Sequence, residues 1–351
     1  MTRVELGGTA AVAAVVATAA LLHYLAAPDL VAFAAATVAL AGLAWLVSFA
    51  TEQVAERFGP AVTGVLQSTL GNLPEFFIVL FALSAGQVVV AQFSLVGSLF
   101  ANALLVLGLV VVTGASRAED GIMRFHPRLP NDTATLVLLT VFIIVVVGSS
   151  AAANDEASKH VVTISAIGAV AILAVYLAWL VPYLASGEPQ QAGHGKGAAR
   201  VSFPVAGALL ALAGTGAAFA SDWFIAELEP TIERLGISQA FAGLVIAAIA
   251  GNAVENATGV VLAYKGESDL AISVVKNSVA QISAFLFPAL VLVSLLFAER
   301  VTFELNPVYI GALVLTALVV WQTTGDGVAP AFEGWALVAV YVILATLTLF
   351  E

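Results

Sequence analysis

Two stretches, Gly71-Asn72-Leu73-Pro74-Glu75 and Gly251-Asn252-Ala253-Val254-Glu255, decide how this chain is read. Each closes on a carboxylate deep in a long apolar run, and the two glutamates stand 180 residues apart. Nearly all the other acidic residues, of 23 in the chain, fall at helix ends or in loops. The same ungapped offset sets Gly97-Ser98 opposite Asn277-Ser278 in the helix after each glutamate. The chain therefore holds an internal repeat that covers two helices in each copy.

The surroundings of the motifs are those of a membrane protein. Of 351 residues, 61% are hydrophobic and 10% charged, none is cysteine, and the mean hydropathy is +1.04. Soluble domains carry about 25% charged residues, so a soluble domain, a nucleic-acid binder and a disulfide-built module are excluded, as are thiolate metal sites. A span needs roughly 20 mostly apolar residues. Runs of that kind at about 7–26, 30–50, 61–85, 88–114, 134–152, 160–185, 201–220, 238–264, 268–298, 306–322 and 333–350 predict an all-α integral membrane protein of about eleven transmembrane helices. The first run is long, alanine-rich and leads straight into another, which reads as a retained helix rather than a signal peptide.

A polar stretch rich in Gly and Pro, from Ser186 to Gly197, divides the chain. The expected organisation is a peripheral N-terminal helix over 1–28, a five-helix repeat over 29–186, a linker over 187–200 and a second five-helix repeat over 201–351. Lys and Arg in alternate loops set the orientation. Arg3, Arg57, Arg117, Arg124, Arg128, Lys196, Arg200 and Lys265 face Lys159, Arg234 and Arg300 on the other side, eight against three. The N-terminus and linker are expected in the cytoplasm and the C-terminus outside, in a prokaryotic plasma membrane. The net charge of -11 sits mostly in short loops and says little about partners. Five crossings separate the motif copies, an odd number, so the second copy enters the bilayer inverted. Inverted repeats are a transporter design with the substrate site near mid-membrane.

The residue types at the motifs suit such a site. An ionised carboxylate in hydrocarbon is expensive, so each glutamate is expected to face the bundle interior, carry a proton or hold a cation. Gly71, Gly251, Asn72 and Asn252 weaken the helix just before each acid, and Pro74 removes a donor and frees a carbonyl. Carboxylates, amide oxygens and freed carbonyls are hard ligands that suit Ca²⁺ or Na⁺. On the next helix Ser94, Ser98 and Asn102 recur every four residues and share a face, with Gly97 and Ala101 keeping that face small. In the second copy Ser273, Asn277 and Gln281 have the same spacing, and Ser278 lies three residues before Gln281. Burial favours a protonated acid and a bound cation an ionised one. Competition for the same two carboxylates is the minimum required for exchange.

At these residues the sequence resembles the Ca²⁺/H⁺ exchanger branch of the cation/Ca²⁺ exchanger superfamily. Its first signature is similar to Gly71-Asn72-Leu73-Pro74-Glu75 followed by the helix from Ser94 to Gly108. Its second is similar to Gly251-Asn252-Ala253-Val254-Glu255-Asn256 followed by Asn277-Ser278-Val279-Ala280-Gln281-Ile282. The resemblance implies alternating access with Glu75 and Glu255 as cation and proton ligands, and with Asn72, Asn252, Ser98, Ser278 and Gln281 beside them. It implies no cofactor, only inorganic cations, protons and lipid as partners, and no nucleic acid. Departures are Asn256 in place of a histidine, Asn277 in place of a glycine, Ala280 in place of a threonine, and a linker that is not an acidic run.

Lys276 is a further departure. It stands about eight residues into its helix, roughly 12 Å at the standard rise. Turned inward it would pair with Glu255 or Glu75, take the site from a formal charge of -2 to -1 and favour a monovalent ion. Turned along the helix it would snorkel to the interface. The expected function is a secondary cation/proton antiporter with Ca²⁺ as the ion. The alternative is Na⁺/H⁺ or Na⁺/Ca²⁺ exchange with the site charge altered by Lys276. An intramembrane hydrolase would need a buried aspartate pair or a Ser-His pair within the helices, and a channel would conduct without proton counterflow. His23, His126, His160 and His194 share no spacing. Trp179, Tyr183, Trp223, Trp321 and Trp335 read as interfacial belts, and Asp155, Glu156, Asp222, Glu227, Glu229 and Glu233 as a solvated rim.

Overall fold

In the computed structural model, residues 2–55, 69–126, 129–186 and 200–351 are described. The helices are α1 (Arg3–Tyr24), α2 (Asp29–Ala55), α3 (Leu73–Ser84), α4 (Val88–Arg117), α5 (Leu129–Ala153), α6 (Val161–Ser186), α7 (Phe203–Leu235), α8 (Gln239–Gly251), α9 (Ala253–Tyr264), α10 (Ser268–Ser294), α11 (Pro307–Thr324) and α12 (Ala331–Leu349). Among the described residues nine helices are long and apolar enough to cross a bilayer, and α8 with α9 make a tenth span, bent by 63°. Helix α3 is the described part of the remaining expected span. Residues 56–68 and the linker residues 187–199 lie outside the described residues.

The repeat is visible in the backbone. Helices α3 and α9 are both 12 residues long, and each starts directly after the motif asparagine. Each ends in the same turn. Gly86 (φ +75°) donates to Leu83 O while Gln87 N donates to Ala82 O; Gly266 (φ +81°) and Glu267 repeat this on Ala263 and Leu262. These paired bonds satisfy the last carbonyls of the helix, and they need a left-handed residue that glycine supplies without strain. The next helix then starts at Val88 in one copy and at Ser268 in the other.

Contacts gather the chain into two compact units, and each draws on both sides of the linker. One holds Met1–Ser94, Tyr183–Val254 and Leu349–Glu351, the other Leu95–Pro182 and Glu255–Thr348. In the first, α2 packs along α7 and α1 lies against α2. Leu46, Val47, Phe49 and Ala213 form a buried core there, with Trp45, Leu73, Leu209 and Leu210 around it. Glu5 pairs with Arg200 at one end of α1, and His23 Nδ1 lies 2.9 Å from Glu227 Oε1 at the other. Helices α1 and α7 thus run in the same direction, as the alternation of loops requires.

Helix α7 continues to Leu235 instead of ending near residue 220, and Gly236 (φ +65°) terminates it. Two expectations change as a result. Trp223 is buried, its ring 6.0 Å from that of His23, so it is not part of an exposed belt. Glu227 is paired with His23, and Glu229 accepts from Gln87 Nε2 at 3.4 Å, so these two are not simply a solvated rim.

The second unit contains the β-structure described, a two-stranded antiparallel ribbon of β1 (Ile122–Arg124) and β2 (Val328–Pro330), in which Met123 faces Ala329. The ribbon joins the α4–α5 and α11–α12 loops, and His126 N donates to Asp269 Oδ1 at 2.6 Å beside the start of α10. All three loops are on the side expected to carry the Lys and Arg excess. Beneath the ribbon α4 and α12 cross at paired glycines. A Cβ on Gly108 would meet Gly334 O at 2.6 Å, and one on Gly334 would meet Gly108 O at 2.6 Å.

A backbone oxygen cannot rotate away, so Gly334→Leu is expected to cost about 1–3 kcal/mol through overpacking. The purified protein should then lose its monodisperse form at lower temperature. Gly311→Leu, at a glycine with open space around it, should leave the melting profile unchanged.

Candidate functional site

Each motif glutamate is the third residue of a helix that starts at a break. Asn72 (φ −84°, ψ 6°) and Asn252 (φ −109°, ψ 14°) interrupt the spans, and Leu73 and Ala253 begin the new helices. Pro74 is tolerated at its place because the first N–H groups of a helix have no intrahelical acceptor. The N-terminal end of a helix carries partial positive charge. Glu75 and Glu255 are therefore placed where the backbone itself favours an ionised carboxylate.

In the first unit Glu75 is fully buried. Asn252 Nδ2 lies 3.4 Å from Glu75 Oε2 and donates to Ala248 O at 3.0 Å, so the second motif supports the acid of the first. Gly251 makes this approach possible, since a Cβ there would lie 3.2 Å from Glu75 Cβ and 3.4 Å from its Cα. Ser221, also fully buried, sits with Oγ 3.5 Å from Pro74 O. Sequence reasoning missed it because Ser221-Asp222 reads as the polar end of a span.

In the second unit Ser278 Oγ donates to Glu255 Oε2 at 2.5 Å, joining α9 to α10. Ser278 is 4% exposed and Gln281, one turn on, is 6% exposed. Gln281 Oε1 has no hydrogen-bond partner among the described residues, and the same holds for Ser94 Oγ and Asn256 Oδ1. Asn277 Nδ2 is turned along its own helix to Ser273 Oγ at 3.3 Å. Ser98 is fully buried, and Asn102 Nδ2 donates to Ser98 O at 3.0 Å.

That last bond is made to the carbonyl which the Asn102 N–H addresses in an α-helix. The chain widens to a π-helical turn over Ala101–Val106, closed by Leu107 N on Asn102 O. Helix α10 has the equivalent turn over Ile282–Leu286, closed by Phe287 N on Ile282 O. Such turns concentrate at functional sites. Asn102, a side chain able to compete for a backbone carbonyl, was the available signal for the first.

Lys276 does not turn to either glutamate. It is 8% exposed, and Nζ donates to Thr324 Oγ1 at 2.7 Å, at the C-terminal end of α11. It forms no ion pair among the described residues, with Glu255 or any other acid. Lys276 lies two residues before Ser278, about 200° around the helix, and that rotation carries it to another face.

A helical membrane protein with paired, interrupted spans and a glutamate at each interruption is built as a transporter of the inverted-repeat class. Residues 29–182 and 205–350 match the sodium/calcium exchanger protein family, and the chain belongs to it. The chain is similar to a Ca²⁺/H⁺ antiporter of Synechocystis, 30% identical over 92% of both chains. It is also similar to the Ca²⁺/H⁺ antiporter ChaA of Bacillus subtilis, 29% identical over 93% of both. Among solved structures, native YfkE is 28% identical and superposes with a TM-score of 0.82, covering 98% of this chain and 100% of that one.

The contact at Gly251 is directly testable in a chain without cysteine. Gly251→Cys with Glu75→Cys would set two Cβ atoms 3.2 Å apart, near the separation of about 3.5–4.5 Å found in disulfides. Mild oxidation is expected to join the two halves, which then stay together after cleavage at a protease site engineered into the linker. Separation of the halves under oxidising conditions would refute the approach of the second motif to Glu75.

Proposed function

We propose that this protein is a secondary antiporter that exchanges Ca²⁺ for protons across the bilayer, with Glu75 and Glu255 as the carboxylates for which the two compete. The observation that carries this reading is the placement of each glutamate at the third position of a half-helix. Burial in apolar surroundings favours the protonated acid, while the helix N-terminus and a bound cation favour the ionised one. A group held between these opposing tendencies exchanges one occupant for the other. Asn72, Asn252, Ser98, Ser278 and Gln281 are proposed as further oxygen ligands or supports, in keeping with the six to eight oxygens that Ca²⁺ accepts. The two Ca²⁺/H⁺ antiporters similar to this chain support the choice of ions.

The Na⁺ alternatives drew on Lys276 as a charge that reduces the site to a net -1. With its ammonium on Thr324, the lysine offers no such neutralisation. Two carboxylates and no paired lysine match a divalent ion. We further propose a cytoplasmic N-terminus and linker in a prokaryotic plasma membrane, on the excess of Lys and Arg in the loops of one side.

In vesicles carrying an inward-acid pH gradient, added Ca²⁺ is expected to release protons, read by dequenching of a pH-sensitive dye. Na⁺ and K⁺ should not, and Glu75→Gln and Glu255→Gln should be silent while still folding. Release by Na⁺ or K⁺ alone would overturn the ion assignment. Loss of the Ser278 hydroxyl removes one hydrogen bond to a charged group, about 1.5–3 kcal/mol. Ser278→Ala should accordingly raise the Ca²⁺ concentration for half-maximal release by about tenfold or more.

A further inference from the structure

Lys276 opens onto a cavity that none of the proposed cation ligands lines. The cavity measures about 550 Å³ and lies within the second unit, walled by α4, α5, α10 and α11. Its lining is mostly apolar, with Leu99, Leu107, Val141, Val279 and Leu313 among the contributors. Leu138, Leu318 and Trp321 also line it and are 56%, 52% and 65% exposed, so it opens at the lipid-facing surface of the helices.

The polar groups inside are few, and most are already committed. Thr140 Oγ1 donates to Ser283 O at 3.0 Å, and Ser283 Oγ donates to Ala280 O at 3.0 Å. Thr316 Oγ1 is buried with no partner among the described residues. Lys276 Nζ spends one of its three N–H groups on Thr324 Oγ1, which in turn donates to Val320 O at 2.7 Å. This relay sets the ammonium against the C-terminal end of α11, where a cation is favoured. One neutral hydroxyl and a helix end are nevertheless slender compensation for an ammonium removed from water, which ordinarily requires a counter-charge.

The lysine is also not a requirement of the fold. At the offset of 180 residues its counterpart in the first repeat is Val96, fully buried. The second repeat thus holds a cation where the architecture accepts a valine, beside an apolar cavity open to lipid.

We propose that this cavity binds one anionic phospholipid, its phosphate on the ammonium of Lys276 at the end of α11 and an acyl chain along the apolar walls. Charge selects the anionic headgroup, and the walls select a lipid over a free anion. Trp321 at the opening is the kind of side chain that favours the headgroup region. Thr324 ends α11 at the side with the Lys and Arg excess, the side of the bilayer where anionic lipid accumulates in a cytoplasmic leaflet.

The test uses the full-length chain in nanodiscs of equal phosphatidylglycerol and phosphatidylcholine, followed by extraction into mild detergent and native mass spectrometry. The unmodified protein is expected to retain phosphatidylglycerol several-fold over phosphatidylcholine, at about one per chain. Lys276→Met should erase that preference. Ala317→Trp, which fills the cavity and keeps Lys276 and Thr324, should erase it too, and this variant decides the matter if the lysine variant does not fold. An unchanged preference in Ala317→Trp, or none in the unmodified protein, would overturn the proposal. So would stabilisation against heat by inorganic phosphate alone that is lost in Lys276→Met, because it would assign the cation to a free anion.

Discussion

The structure depends on keeping a carboxylate inside a bilayer. A continuous helix offers nothing towards this, because its internal N–H groups are all consumed by the carbonyls four residues back. Breaking the helix one turn before the acid releases donors and turns a helix N-terminus towards it. Gly251-Asn252 and Gly71-Asn72 are the two breaks, and the rest of the site follows from them. The glycine at 251 lets a neighbouring backbone come close to Glu75, and the asparagine at 252 both distorts its own helix and reaches that acid.

Much of this was legible in the sequence. The apolar runs marked the spans, because hydrocarbon thickness converts directly into residue number. The constant offset between motifs marked the repeat, although each span was expected to be continuous, and the match extends to the half-helices and to the turns at Gly86 and Gly266. Ser278 lies beside Glu255, since α10 packs near α9 after a turn of three residues.

What stayed hidden depended on which way a side chain faces and on contacts distant in sequence. Asn277 and Ser278 are adjacent, yet one bonds along its helix and the other across to Glu255. Lys276 was read, from its depth in the helix, as either a modulator of the site or a chain snorkelling to the interface, and depth alone does not say which face of the helix a side chain takes. Helix α7 was expected to be short because Ser221-Asp222 looks like its end. A buried serine against Pro74 and a carboxylate paired with His23 make that polar stretch part of the packed structure. The ribbon at Ile122–Arg124 and Val328–Pro330 joins segments about 200 residues apart, with too few residues in either for any local pattern to reveal it.

The ribbon has a mechanical consequence. Its backbone bonds hold the loop after α4 to the loop before α12, and the paired glycines Gly108 and Gly334 hold the same two helices together farther along. Two points of attachment define a line, so these segments cannot swivel about a single contact. The part of α4 that follows its π-helical turn and the N-terminal part of α12 therefore behave as one beam with members from each repeat. Any rearrangement that reorients one of them must carry the other along, whatever the side chains at their surfaces are doing.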